Sequence, residues 1–202
     1  MQLPDFKIRA SAAGKLMTKP RNKKDTISQT TLTYVKEWVI EQLYGIKKDF
    51  SSKYTEKGNK VEDEAINKAI EWLDIPFALK NEKYFEDEYF CGTPDLILED
   101  EVLDIKCPFD AFTFPLFETE IPNKDYAAQL QVYMHLTGKK KARLVYVLMN
   151  TPQEVDKWGP TYDYTNTPKE LRIKTFSLDY DPSVIEHLQN QVTEINKYIE
   201  TL

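Results

Sequence analysis

Two aspartates and a lysine stand out in residues 92–106, where apolar and charged residues alternate. Alternation with a period of two predicts a β-hairpin, and a turn centred on Glu99-Asp100 places Asp95 opposite Asp104. Opposed carboxylates, with Cβ atoms about 4.5–5.5 Å apart, repel each other unless a cation lies between them. Lys106 follows Asp104 by two residues and therefore points to the same face. The pattern predicts a divalent-metal site with a lysine beside it.

The register of this hairpin decides between two interpretations. A symmetric turn keeps the aspartates together, whereas a three-residue turn slips the register and separates them onto opposite faces. Glu-Asp is not a dipeptide that hairpin turns favour. A solvated hairpin with acidic decoration is therefore the alternative to a metal site. The apolar residues share the other face and can bury it: Leu96, Leu98, Leu103 and Ile105.

Length and composition predict one globular domain over residues 1–202. The chain is 41% hydrophobic and 30% charged, which is ordinary for a soluble protein. No apolar run reaches the ~18–20 residues that span a membrane, and the N-terminus lacks a signal core. We therefore expect a cytoplasmic protein with no membrane partner.

The cysteines and histidines exclude several kinds of chemistry. Two cysteines, Cys91 and Cys107, cannot form a four-cysteine zinc or iron–sulfur site, and without an export signal we expect reduced thiols. Neither His135 nor His187 lies in a metal-binding or nucleophile-activating pattern. The chemistry must therefore rest on carboxylates, lysine and a bound hard metal.

The charge of the chain is uneven. A net charge of −6 argues against general attraction to polyanions, but residues 6–24 hold seven basic residues and no acidic one. A second basic run covers residues 139–141. Such clusters are compatible with phosphate contacts, although a solvated charged face is the commoner explanation.

Periodicity predicts a mixed α/β domain. The predicted helices cover residues 12–17, 28–44, 59–73, 124–136 and 182–199, and the predicted strands cover 78–85, 89–98, 101–107, 142–149 and 171–176. The first three strands form a predicted meander. Residues 108–122 and 150–168 form irregular excursions between these elements.

Glu62 lies near the middle of the apolar stripe of predicted helix 59–73. A carboxylate on a buried face costs several kcal/mol unless it is paired or bound to a metal. Glu62 is therefore expected to complete an acidic cluster with Asp95 and Asp104. The alternative is an exposed first-turn glutamate that interacts favourably with the helix dipole.

Gln129 shares one helical face with Tyr126 and Tyr133. An inward-facing glutamine must satisfy its amide, and a nearby polar site would do so. An ordinary helix with interfacial tyrosines explains the same pattern. Gln131 is interpreted as exposed.

These segments together resemble the PD-(D/E)XK nuclease superfamily. Four motifs occur in the expected order, namely Lys57-Gly58-Asn59-Lys60-Val61-Glu62, Pro94-Asp95, Asp104-Ile105-Lys106 and Tyr126-x-x-Gln129-x-x-x-Tyr133. The pattern is most similar to that of phage lambda exonuclease and YqaJ-like viral recombinases, although these often have glutamate at the position of Asp104. The resemblance implies a restriction-endonuclease-like core, an α/β (α+β) fold in which helices flank a central mixed β-sheet.

The resemblance also implies the site residues. Asp95, Asp104, Glu62 and the Ile105 carbonyl would bind Mg²⁺, for which Mn²⁺ substitutes, and no zinc or iron–sulfur cluster is expected. Lys106 would orient or deprotonate the attacking water and stabilise charge. Catalytic roles thus fall to Glu62, Asp95, Asp104, Lys106 and Gln129, supported by Tyr126 and Tyr133.

A 5′-phosphate site is implied near the N-terminus, where lambda-type enzymes have an arginine and a serine. Arg9 and Ser11 match this pattern, and Lys15 follows them. Ser11 is also a predicted N-cap of helix 12–17. Because a helix N-terminus is itself an anion site, the two roles are compatible.

The implied function is Mg²⁺-dependent hydrolysis of DNA phosphodiesters, as a 5′-to-3′ exonuclease on linear double-stranded DNA in phage-type recombination. Implied partners are double-stranded DNA ends, a single-strand annealing protein and further copies of the chain, in a trimer by analogy. Two alternatives remain open. One is a structure-specific or RecB-type endonuclease or repair nuclease, and the other is a non-catalytic nucleic-acid-binding module.

Overall fold

The computed structural model describes residues 3–22, 24–49, 51–160 and 162–202. Lys23, one of the seven basic residues near the N-terminus, lies outside the described residues. The helices are α1 (Gln29–Tyr44), α2 (Lys53–Trp72), α3 (Lys124–Thr137) and α4 (Pro182–Ile199), with 3₁₀ helices at Ala10–Met17 and Lys169–Leu171. The strands are β1 (Ile8–Arg9), β2 (Phe85–Glu86), β3 (Phe90–Gly92), β4 (Leu96–Ile97), β5 (Glu101–Lys106), β6 (Lys141–Val147) and β7 (Ile173–Asp179).

A four-stranded mixed sheet forms the centre of the fold. Its strand order is β4-β5-β6-β7, in which β5 and β6 are parallel and the outer pairs are antiparallel. A smaller sheet has the order β1-β3-β2. The prediction of an α/β fold with a central mixed sheet between helices is therefore confirmed.

The central strand β6 separates two apolar cores. Leu144 and Tyr146 pack with α3 and α4, whereas Val145 and Val147 pack against α2 on the other face. Successive strand residues point to opposite faces, so a strand covered on both sides is apolar at consecutive positions. This explains why residues 142–149 have the sequence of a buried strand.

The hairpin has the predicted register. Leu96 pairs with Leu103, Ile97 pairs with Val102, and Leu98 N donates to Glu101 O at 2.9 Å. The turn therefore has two central residues, and the next position along places Asp95 opposite Asp104. Leu96 and Leu103 are buried against α2. A slipped register is excluded.

Helix α2 begins six residues earlier than predicted. The Ser52 side chain accepts a hydrogen bond from the Thr55 backbone amide, and the Thr55 side chain accepts one from the Ser52 backbone amide. These two bonds form a capping box at the start of the helix. The added residues are mostly polar, so the apolar periodicity did not reveal them. Glu62 consequently lies in the middle of the helix, and the helix-dipole explanation of its position does not apply.

Two predicted strands differ from the structure. Residues 78–84 are not a strand, and the chain turns just before them at Asp74 and Phe77, which both have positive φ. Predicted strand 89–98 is divided between β3 and β4, which belong to different sheets. Pro94 lies at the break, where it cannot donate to a strand ladder. The predicted three-stranded meander is therefore wrong.

The other helix boundaries follow local capping signals. Ser28 accepts from Thr31 N at the start of α1, and Asp181 accepts from Ser183 N at the start of α4. Gly45 and Gly138 end α1 and α3 with φ values of 65° and 73°. No helix among the described residues is long and apolar enough to cross a membrane.

The close packing of α3 on the first 3₁₀ helix predicts a stability effect at Gly14. A Cβ atom at Gly14 would lie 2.6 Å from the Asp125 Cα atom, so Gly14→Ala should destabilise the fold by about 1–3 kcal/mol. Gly58→Ala is the control, since nothing lies within 4 Å of its Cβ position in α2. Urea denaturation should show no loss for Gly58→Ala, and equal stability of the two variants would contradict this packing.

Candidate active site

Two carboxylates meet at the end of the hairpin. Asp104 lies within β5 and is only 2% exposed, and Asp95 lies just before β4. Asp95 Oδ2 accepts a hydrogen bond from Ile105 N at 2.6 Å, which fixes this carboxylate against the partner strand. Burial, reinforced by the charge of Asp104, raises the pKa of Asp95 to about 7. The pair therefore disfavours a second negative charge unless a cation compensates for it.

Lys106 and Gln129 contact Asp104 from two directions. Lys106 Nζ lies 2.7 Å from Asp104 Oδ2, and Gln129 Nε2 donates to Asp104 Oδ1 at 3.1 Å. Gln129 Oε1 in turn accepts from Lys106 Nζ at 3.3 Å. Gln129 therefore connects the carboxylate with the ammonium group, and its buried amide is satisfied as the sequence predicts.

Two tyrosines of α3 border this cluster. The Tyr133 hydroxyl accepts from Gln129 Nε2 at 3.0 Å, and the Tyr126 ring centroid lies 4.7 Å from Lys106 Nζ. Tyr133 can approach because residue 92 is glycine, where a Cβ atom would lie 2.9 Å from the tyrosine ring. The tyrosines thus pack around the polar cluster on the face that the helical spacing predicts.

The charge of Lys106 is fixed by its neighbours. Burial alone would lower the pKa of Lys106, but the adjacent Asp104 carboxylate outweighs it and raises the pKa above its ordinary value. Lys106 is therefore a protonated ammonium group at neutral pH in this arrangement. In this arrangement it can stabilise negative charge or orient water.

The donor set fits a hard divalent cation. Asp104 Oδ2 is buried, and no group among the described residues donates a well-aligned hydrogen bond to it, although Lys106 is near. A second carboxylate, Asp95, faces it across the hairpin. Carboxylate oxygens are the ligands that Mg²⁺ prefers, so the observed pair can hold such an ion.

Glu62 lies at the rim of the site instead of in the core. Its side chain is 44% exposed, and its Oε1 atom lies 2.6 Å from Lys80 Nζ. The prediction that Glu62 faces the core is therefore wrong. It lines a cleft of about 530 Å³ together with Ile105 and Lys106. Within the described part of the chain, no three acidic, histidine or cysteine side chains are close enough to share a metal.

The N-terminal residues line a second cleft. Arg9 and Ser11 border a cavity of about 760 Å³, with Tyr133 and Gly92 on its wall. Ser11 is not an N-cap, because Arg9 occupies that position and the 3₁₀ helix begins at Ala10. The lysine of this group, Lys15, lies outside the cavity lining, with its Nζ 5.7 Å from the Tyr34 ring centroid. Tyr133 contacts both this cleft and Gln129.

The burial of Gln131 and Lys57 was not predicted from the sequence. Gln131 was predicted to be exposed, but it is buried and bonds to Asp179 O and Asp181 N. Lys57 is completely buried and lies one helical turn before Val61 on the stripe of α2. Lys57 is four residues before Val61, and this spacing would have placed it on the buried stripe. The helix was predicted to begin only at residue 59, so Lys57 was not included in it.

The mixed sheet with its paired aspartates and following lysine has a lambda-exonuclease/YqaJ-like fold, which solved structures of phage-related and alkaline exonucleases share. A phage-related exonuclease from Haemophilus somnus 129PT is similar to the chain, with 27% identity and a TM-score of 0.87 over 96% of this chain and 94% of that one. An alkaline exonuclease (LHK-Exo) from Laribacter hongkongensis has 18% identity and a TM-score of 0.72, covering 96% and 88%. No protein-family model and no curated protein sequence matches. The similarity supports a nuclease of the lambda-exonuclease type.

The raised pKa of Asp95 predicts how the metal-free protein responds to pH. Its folded value of about 7 exceeds the ordinary 3.8, so its contribution to stability is complete below pH 3.8 and is lost as pH rises through 7. In EDTA, the unfolding free energy should fall between pH 5 and pH 8 by on the order of 2 kcal/mol through this group. In urea denaturation, the unfolding free energy of Asp95→Asn should fall less over this pH range than that of the wild type. Asp100→Asn, an exposed variant in the turn, should show the same fall as the wild type. An equal fall in all three proteins would contradict the assignment.

Proposed function

We propose that the chain is a Mg²⁺-dependent DNA phosphodiester hydrolase that acts as a 5′-to-3′ exonuclease on linear double-stranded DNA. The main support is the contact between Asp104, Lys106 and Gln129, with Asp95 facing them, in a fold shared with two exonucleases. Carboxylates beside a lysine and an amide suit hydrolysis of a charged ester, because metal-binding oxygens and a fixed cation are both present. We assign the whole of residues 1–202 to this one nuclease domain.

Asp95, Asp104 and the Ile105 carbonyl are the proposed ligands of Mg²⁺, which Mn²⁺ would replace. Glu62 would join them after release from Lys80, since its present partner is an exposed lysine whose ion pair is weak. A bound ion would supply positive charge for the phosphate and would make a bound water a better nucleophile. The hairpin holds the two aspartates in place before the ion arrives, because Asp95 is anchored on Ile105 N.

Lys106 is the proposed source of positive charge for the phosphate in the transition state. Its ammonium is kept protonated by Asp104 and is held by Gln129 Oε1. A cation fixed before the reaction stabilises developing charge without having to reorganise. We propose that Gln129 keeps the Lys106 ammonium group and the Asp104 carboxylate in fixed relative positions. Tyr126 and Tyr133 support this arrangement from α3.

The second cleft is the proposed site of the 5′-phosphate. Arg9 and Ser11 line it, and Tyr133 connects it to the candidate active site. Glu37 and Glu41 also line the cleft, so an anion would bind at its Arg9 end. Lys15 would contribute long-range charge from beside this cleft. Other proposed partners are a single-strand annealing protein and further copies of the chain in a trimer, by analogy with lambda-type enzymes in phage recombination.

Removal of either charged group should strongly reduce hydrolysis without unfolding the protein. Asp104→Asn and Lys106→Met should each lower kcat by about 100-fold or more, because they remove a metal ligand and a fixed cation. Asp100→Asn in the turn of the same hairpin is the matched control and should keep wild-type activity. The assay is digestion of end-labelled linear duplex in Mg²⁺ and in EDTA, with circular duplex included to separate exonuclease from endonuclease activity. Full activity of purified Asp104→Asn would refute the proposed function.

Arg9 should determine the preference for phosphorylated ends. Arg9→Gln should reduce the rate on 5′-phosphorylated duplex about tenfold, while the rate on 5′-hydroxyl duplex changes little, because only the phosphate contact is lost. Arg21→Gln removes an equal charge elsewhere and should leave the ratio of the two rates unchanged. A ratio that is the same in Arg9→Gln and wild type would exclude this phosphate site.

A further inference from the structure

Lys57 is a buried charged residue that the proposed chemistry does not use. It lies in α2 with a completely buried side chain. Its Nζ atom donates to Pro108 O at 2.8 Å, Phe109 O at 2.8 Å and Met149 O at 2.7 Å. An ammonium group has three protons, and all three are used here. The contact is a tripod from one helix to two separate chain segments.

The three carbonyls belong to the chain where it leaves the two central strands. Strand β5 ends at Lys106 and β6 ends at Val147, and the two strands are parallel neighbours. Their C-terminal ends therefore lie at one edge of the sheet. Carbonyls beyond a strand ladder lose their strand partners, and a buried carbonyl needs a donor. Lys57 supplies one donor to each of the three.

The same contacts fix one wall of the cleft beside Lys106. Phe109 O also accepts from Thr151 Oγ1 at 2.8 Å, so two side chains hold this one carbonyl. The Phe109 ring packs edge-on against Tyr54, with centroids 5.0 Å apart, and both rings line the cleft with Lys106. The Lys57 tripod thus connects the end of β5 with the cleft wall.

Packing alone does not explain a lysine at this position. The neighbouring stripe residues of α2 are Val61, Ala65, Ile66 and Ala69, and an apolar side chain would continue that stripe. Desolvation lowers the pKa of Lys57 to about 8, so the ammonium form is still the major one at pH 7. A buried ammonium is costly unless it is fully hydrogen-bonded, as it is here. These contacts indicate that Lys57 serves to position the three backbone carbonyls.

We propose that Lys57 is a positioning residue that holds the backbone after Lys106, and the Phe109 wall, in the geometry needed for hydrolysis. The kinetic part of this proposal rests on the proposed function, whereas the backbone part does not. A displaced Pro108–Phe109 segment would move the Lys106 end of β5 relative to Asp104. Misplacement of reacting groups by about 1 Å can cost on the order of 100-fold in rate.

Amide hydrogen exchange tests the backbone role without any need for activity. Lys57→Met keeps the length of the side chain but removes all three donors, and Lys60→Met is the matched control on an exposed position of the same helix. We expect faster exchange at residues 107–111 and 149–151 in Lys57→Met, with unchanged exchange in α3. Exchange equal to that of Lys60→Met in both segments would overturn the proposal.

Steady-state kinetics tests the positioning role. At saturating DNA and Mg²⁺, and well below the unfolding temperature of the variant, Lys57→Met should lower kcat about 10–100-fold with KM changed less than about threefold. If Lys57 only stabilises the fold, kcat of Lys57→Met will equal the wild-type value under these conditions. That result would overturn the proposal. A wild-type protein without hydrolytic activity refutes the proposed function instead, and the exchange experiment then decides the backbone role.

Thr151→Val provides a second variant if Lys57→Met does not fold. It removes one donor to Phe109 O and leaves the Lys57 tripod in place. We expect faster exchange at residues 108–110 and a fall in kcat of about threefold, smaller than that for Lys57→Met. Wild-type exchange together with wild-type kcat in Thr151→Val would overturn the proposal.

Discussion

The closeness of two carboxylates at a buried position is the constraint on which the site depends. Asp104 is nearly inaccessible to solvent, and burial together with the charge of Asp104 raises the pKa of Asp95 to about 7. Two bare anions there would repel each other in an environment that screens charge poorly. Lys106 compensates for one of the charges, and a hard cation is the natural compensation for the other.

The surrounding elements serve to hold this repulsive pair in place. The two-residue turn sets the register of β4 and β5, and the parallel strand β6 holds β5 between two apolar cores. Helix α3 presents Gln129 to Asp104, and a glycine at position 92 gives the Tyr133 ring room to approach. Helix α2 closes the other face and brings Lys57 to the carbonyls that follow the central strands.

Local signals predicted much of the fold and the centre of the candidate site. The alternation of residues 92–106 predicted the hairpin register, because a strand with one buried face specifies its pairing strongly. Both boundaries of helix 182–199 were predicted correctly, since nearby residues in the sequence specify its start and its apolar stripe. The start of α2 was missed, because its first turns are polar and only the Ser52–Thr55 capping box marks them.

The sequence by itself determined that Asp104 and Lys106 share one face, because the period of a strand depends only on the chain. Asp95 joins that face because the hairpin has a two-residue turn, which the structure shows. The sequence also put Gln129 and Tyr133 on one side of a helix. Only the tertiary structure decided that Glu62 lies at an exposed rim beside Lys80, and that Lys57 is buried. The physical reason is that burial and hydrogen-bond partners come from distant segments, as when Lys57 binds the carbonyl of a residue 92 positions away.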